Sequence, residues 1–192
     1  MRKKDLYLVC ATVLPFMICT GMVYSVISLY MAEIGLTKSQ IGTLYTSGAI
    51  AGAVTSPFIG AIADRLGRKK ILLSSMFVFA FVFLGYAMSR SYIPLLFVQI
   101  CEGLAWAAMG TSTTALIADL VTIEERGKAM GIYNTTWNLG WIAGPTLGGV
   151  LSDSVGFTIT FILCTGLTII GTTLAFIFIP SRIKADQGKA VN

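Results

Sequence analysis

The feature that most limits how this chain can fold is a charged turn, Gly60-Ala61-Ile62-Ala63-Asp64-Arg65-Leu66-Gly67-Arg68-Lys69-Lys70, set between two long, almost wholly apolar runs. An α-helix needs about 20 apolar residues to cross a hydrocarbon core ~30 Å thick, and each run supplies that length. The turn therefore reads as a loop joining two membrane-spanning helices. Four of the seven residues from Asp64 to Lys70 are basic. Short loops rich in Lys and Arg are retained on the cytoplasmic side, so the turn is expected to face inward. With 55% hydrophobic and 12% charged residues, the chain has the composition of a multi-pass membrane protein. The net charge of +5 does not imply nucleic acid, because the basic residues sit in short clusters between oily segments.

Six spans follow in order. A tail over 1–5 leads into a first helix from Leu6 to about Met31, too long and without the small-residue cleavage site of a secretory leader. Helix 2 runs from about Ile41 to Ala63, capped by Thr37 or Ser39, and helix 3 from Ile71 to Met88. Helix 4 runs from Tyr92 to Asp119, helix 5 from Ala129 to Leu151, and helix 6 from Phe157 to Ile179, where Pro180 ends it before a polar tail over 181–192. The transmembrane domain is thus expected over 6–180, and of the 14 basic residues only Lys38 and Arg90 fall outside. That asymmetry puts both termini in the cytoplasm and the chain in the plasma or inner membrane. Gly60-x-x-x-Asp64-x-x-Gly67 recurs as Gly149-x-x-x-Asp153-x-x-Gly156, as expected if helices 4–6 repeat helices 1–3 with inverted topology. The predicted fold class is all-α, six transmembrane helices in two inverted three-helix repeats.

Cys10, Cys19, Cys101 and Cys164 lie in apolar segments without ligand spacing and are expected to be buried free thiols. There is no histidine, so proton chemistry would fall to carboxylates, and neither a metal site nor a cofactor loop nor a catalytic triad is present in the sequence. No enzymatic activity is expected. Small residues mark helix packing: Gly48, Gly52 and Gly60 on helix 2, Gly67 in the turn after it, and Gly140, Gly144, Pro145, Gly148 and Gly149 on helix 5.

The spacing Gly-x-x-x-Asp-Arg-x-Gly-Arg-Lys at Gly60 to Lys69 resembles the helix 2–3 signature of the major facilitator superfamily of secondary transporters. The run Gly140-Trp141-Ile142-Ala143-Gly144-Pro145-Thr146-Leu147-Gly148-Gly149 is similar to the helix-5 motif of its drug:proton antiporter branch, although a purely packing helix would carry the same residues. The resemblance implies alternating-access transport, with proton-coupled efflux of amphipathic, drug-like compounds favoured over uptake. It also makes Asp64, Arg65, Arg68, Asp119 and Arg126 a charge cluster that latches the inner side, against the alternative of solvated loop charges.

Glu102 is the ionisable residue placed well inside a span, where charge is costly, so it is expected to face a cavity or a partner and is the candidate proton carrier. Many drug antiporters carry arginine at the position filled here by Gln99. Gln99, Glu102, Trp106, Met109 and Thr113 recur at three- and four-residue steps and are expected to share a face of helix 4. Asn134, Asn138 and Trp141 form a similar stripe on helix 5, with Tyr24 and Ser28 contributing from helix 1. For the two asparagines, plain interhelical hydrogen bonding is the alternative to lining a cavity.

The resemblance extends over nearly all 192 residues but over only the first of the superfamily's two six-helix halves. Transport sites in this architecture lie between the halves. The expected partners are therefore a small-molecule substrate, protons, the lipid bilayer, and a second half supplied by a homodimer or another half-transporter. The competing readings are a truncated or split product that works only with a partner half, and a non-transporting regulatory or assembly subunit.

Overall fold

A computed structural model describes residues 3–179. Six long helices follow one another: α1 (Lys3–Glu33), α2 (Lys38–Leu66), α3 (Arg68–Met88), α4 (Tyr92–Leu120), α5 (Arg126–Val155) and α6 (Phe157–Phe178). They run 21 to 31 residues each. At about 1.5 Å per residue, every one exceeds the ~30 Å a bilayer core requires. α1–α4 and α6 are both long and apolar enough to cross a membrane. α5 is long enough, but Asn134, Asn138 and its threonines and glycines dilute its apolar character.

The helix ends correct several expectations. α1 is already helical at Lys3 rather than beginning after a five-residue tail, with Asp5 in its first turn, where a carboxylate complements the positive end of the helix. Thr37, not Ser39, caps α2: its hydroxyl accepts from the Gln40 N–H at 3.3 Å, while the Gln40 carboxamide accepts from the Thr37 N–H at 2.9 Å. That reciprocal pair starts the helix at Lys38, three residues before the apolar run begins. A short 3₁₀ turn, Ile123–Glu125, precedes α5. α6 ends at Phe178; Pro180, expected to end it, and the tail over 181–192 lie outside the described residues, as do Met1 and Arg2.

The internal repeat is visible in the backbone. Gly67 and Gly156 each close one helix and open the next at positive φ, +100° and +82°, with the N–H bonded to Ala63 and Ser152 at 3.0 Å in both. A side chain at either position would be strained, which accounts for glycine at equivalent places of the two repeats. Packing follows the same symmetry. α1 lies along α5 as α4 lies along α2, α3 packs on α4 as α6 packs on α1, and α3 meets α6 across the pseudo-axis.

Both long pairings are glycine crossings. A Cβ on Gly144 would meet Gly21 Cα at 2.6 Å, and one on Gly148 would meet Met22 Cα at 2.7 Å, so α1 and α5 touch backbone to backbone. Between α2 and α4, Gly48 and Gly52 approach Gln99 and Gly103 just as closely. In lipid, where apolar burial between helices gains little, such contact is what holds helices together. Gly60, Gly67 and Gly149, expected in the packing set, meet nothing within 4 Å. Gly149 lies about 100° around α5 from Gly148, off the α1 seam. Cys101 is likewise exposed on α4, whereas Cys10, Cys19 and Cys164 are buried as expected. An aromatic core fills the centre: Phe16 of α1 and Phe79 of α3 lie 4.8 Å apart, and Phe79 meets Trp106 of α4 at 5.0 Å.

Candidate functional site

Glu102 is the eleventh residue of α4, about 15 Å along the helix from its start at Tyr92. It is 4% exposed, bonded to a tyrosine of α3, and shares a cleft with tyrosines of α1 and α2. The Tyr86 hydroxyl of α3 donates to Glu102 Oε2 at 2.7 Å and also contacts Gln99 Oε1. From α1, the Tyr24 hydroxyl accepts the Trp106 indole N–H at 2.7 Å on the wall of the same cleft. From α2, Tyr45 lines the same cleft while its hydroxyl pairs with Ser28 at 2.8 Å. Glu102 Oε1 is buried and has no partner. An orphaned carboxyl oxygen in a low-dielectric site is costly, and its remaining capacity is to take a proton or face a cationic group.

That oxygen belongs to a residue lining an open cleft of about 570 Å³ between α1, α2 and α4. Tyr24, Tyr45 and Trp106 give it aromatic walls, Gln99 and Glu102 its polar end, and Ser56 a hydroxyl. Gly48, Gly52 and Gly103 form its floor, where α2 and α4 touch. The shape follows from the sequence: glycines bring the two backbones together and remove the side chains that would fill the space above them.

Of the residues expected in a cavity, Tyr24, Gln99 and Trp106 line this cleft beside Glu102. Met109 and Thr113, on the same stripe of α4, are fully buried in the core instead. Trp141 reaches the edge of the site, 5.9 Å from the Tyr24 ring. Asn134 and Asn138 are exposed on α5 and do not line the cleft, because the Gly140, Gly144, Gly148 seam turns them away from α1. Tyr45 and Tyr86 were missed by sequence reasoning. The available signal was chemical: a tyrosine in an apolar span must find a partner for its hydroxyl.

At the other end of the bundle, Arg68 joins α2 to α4. Its guanidinium contacts Asp64 Oδ1 at 3.2 Å, Asp119 Oδ1 at 2.5 Å and the Ala115 carbonyl at 2.8 Å. Arg65 and Arg126 are exposed and take no part in this cluster among the described residues. Arg126 faces Glu124, whose carboxyl is held below the usual range by its own backbone N–H first, then by the Thr122 hydroxyl, with Arg126 adding least.

The family model for the Major Facilitator Superfamily matches residues 9–191. Multidrug resistance protein 2 of Bacillus subtilis (strain 168) is 28% identical over 167 residues, covering 87% of this chain and 42% of that protein. Quinolone resistance protein NorA of Staphylococcus aureus is 26% identical over 183 residues, covering 95% and 47%. The chain thus spans under half the length of these relatives. Among solved structures, a bacterial homologue of the human lysosomal transporter Spinster, inward-facing and unoccupied, aligns with a TM-score of 0.80 at 17% identity, covering 94% of this chain and 43% of that one. The human organic anion transporter MFSD10 (TETRAN) aligns at 0.75 and 18% identity, over 96% and 50%. Six membrane helices in two inverted repeats, the charged helix 2–3 turn and the matching family model together place this multi-pass membrane protein in the Major Facilitator Superfamily, of whose fold it forms one half.

Proposed function

We propose that the chain is one wall of a plasma-membrane carrier that exports amphipathic, drug-like compounds by alternating access, coupled to protons at Glu102. The observation that carries this is the unpartnered Glu102 oxygen on the aromatic-walled cleft. Broad aromatic faces accept varied apolar bodies, and one buried carboxyl supplies the exchangeable charge. The names of the two bacterial relatives support efflux over uptake. Charge asymmetry supports cytoplasmic termini, with the Asp64, Arg68 and Asp119 cluster as an inner latch. The cleft is open toward one side, and the opposing wall comes from a second six-helix unit, another copy or a different half.

The test is transport in reconstituted vesicles with a panel of lipophilic cations, sugars and organic acids under an imposed pH gradient. Glu102→Gln is expected to abolish gradient-driven efflux while expression and folding persist. Normal gradient-driven rates in that variant would remove Glu102 from the coupling step.

A further inference from the structure

Tyr86 is 1% exposed and its hydroxyl stands between two acceptors, Glu102 Oε2 and Gln99 Oε1. A phenol carries one hydrogen, so it satisfies one of them at a time. We propose that Tyr86 is a positioning residue that directs its hydrogen bond to the Glu102 carboxylate when that group is ionised and to the Gln99 amide oxygen when Glu102 carries a proton. This rests on Glu102 being the proton carrier.

The surroundings restrict what can move. The titratable groups facing the carboxyl are Tyr24 from α1, Tyr45 from α2 and Tyr86 from α3. The Tyr24 oxygen is held by the Trp106 indole N–H and the Tyr45 hydroxyl by Ser28. The Tyr86 ring rests on Phe161 of α6 at 6.1 Å. One residue earlier, a Cβ on Gly85 would meet Val98 at 2.7 Å, so α3 and α4 are in close contact beside the site. The adjustable elements are the phenol O–H and the Gln99 carboxamide. With Glu102 ionised, its acceptor-only carboxylate holds the phenol hydrogen, and the amide turns its N–H₂ toward the phenol oxygen. With Glu102 protonated, the carboxyl supplies its own O–H, the phenol donates to the amide oxygen, and the α3–α4 contact changes its hydrogen-bonding pattern. The protonation state of the cleft is thereby read by a helix, α3, that contributes no residue to the cleft lining.

Infrared difference spectroscopy on the full chain in lipid vesicles, with the glutamine side-chain carbonyl labelled with carbon-13, tests this across a pH titration. The Glu102 carboxylic C=O band is assigned by its loss in Glu102→Gln and the Gln99 amide band by its loss in Gln99→Met. The expected result is an amide shift with the same midpoint as the carboxyl band, lost in Tyr86→Phe while the carboxyl still titrates, and kept in Tyr24→Phe. An amide band that stays put in the native chain, or one that still follows in Tyr86→Phe, overturns the proposal. Should the Phe variant fail to fold, the native titration decides alone. A carboxyl band that never changes sinks the proton-carrier reading as well, which separates the two failures.

Discussion

Arg68 donates to acceptors on two helices at once, Asp64 at the end of α2 and Asp119 with the Ala115 carbonyl near the end of α4. A planar guanidinium can span that arrangement, while a lysine ammonium is a point charge on a flexible stem. Arg68→Lys is therefore expected to keep the fold but loosen the inner ends of α2 and α4. An ion pair with about a third of each side chain exposed contributes up to about 1 kcal/mol, so the opening equilibrium should shift by about fivefold. The rate of thiol labelling at a cysteine introduced at Ala118, in a Cys101→Ser background, measures it; an unchanged rate would count against a latch. The cluster was legible through the family resemblance of the two loops that carry it, though of its five expected members only Asp64, Arg68 and Asp119 meet. Of the hydroxyls beside Glu102, Tyr24 was expected in the cavity but Tyr45 and Tyr86 were not, since they come from two further helices whose juxtaposition no spacing within one helix reports.

Helix pairing offers a sharper contrast, because glycines of identical sequence appearance have opposite surroundings. An added methyl at Gly144 would meet Gly21 Cα at 2.6 Å and the Ile18 carbonyl oxygen at 2.7 Å, both backbone atoms that cannot step aside. Gly144→Ala is expected to cost about 1–3 kcal/mol, the range of overpacked sites. Gly149→Ala meets nothing within 4 Å, and removing a mid-helix glycine stabilises by up to about 1 kcal/mol. Unfolding of the two variants in mixed micelles by denaturing detergent measures the difference, and equal effects would refute the assigned seam. Small residues at helical spacing revealed that α5 has a close-packing face, and the turn glycines Gly67 and Gly156 revealed the repeat. Periodicity did not say which helix would cover the face, which is why Gly149 was grouped with Gly148, and why Asn134 and Asn138 were expected to line the same cavity as Tyr24.

Among the described helices α2 is sparsely covered, with only Leu44, Gly48 and Ala63 buried. Ile50, Val54 and Phe58 form an exposed stripe at four-residue steps on it, 58%, 60% and 67% exposed. α3, which packs on α4 and α6, carries a comparable exposed pair, Phe77 and Phe81. Apolar exposure alone does not distinguish a lipid-facing surface from one awaiting protein. The cleft does: α2 lines it with Tyr45, Gly48, Ala49, Gly52 and Ser56, and at about 100° per residue Ile50, Val54 and Phe58 lie on the far face of that helix, so on the proposed reading a second six-helix unit stands against Ala49 while the outer stripe faces lipid. A photoreactive residue placed at Ala49, which is exposed, is therefore expected to cross-link to protein in native membranes, and one placed at Val54 or Phe81 to lipid. The mass of the Ala49 adduct identifies the partner, twice that of the chain for a homodimer and a different sum for another half. Protein adducts from Val54 or Phe81 with only lipid adducts from Ala49 would put the partner on the wrong face, and with it the wall assigned to the cleft.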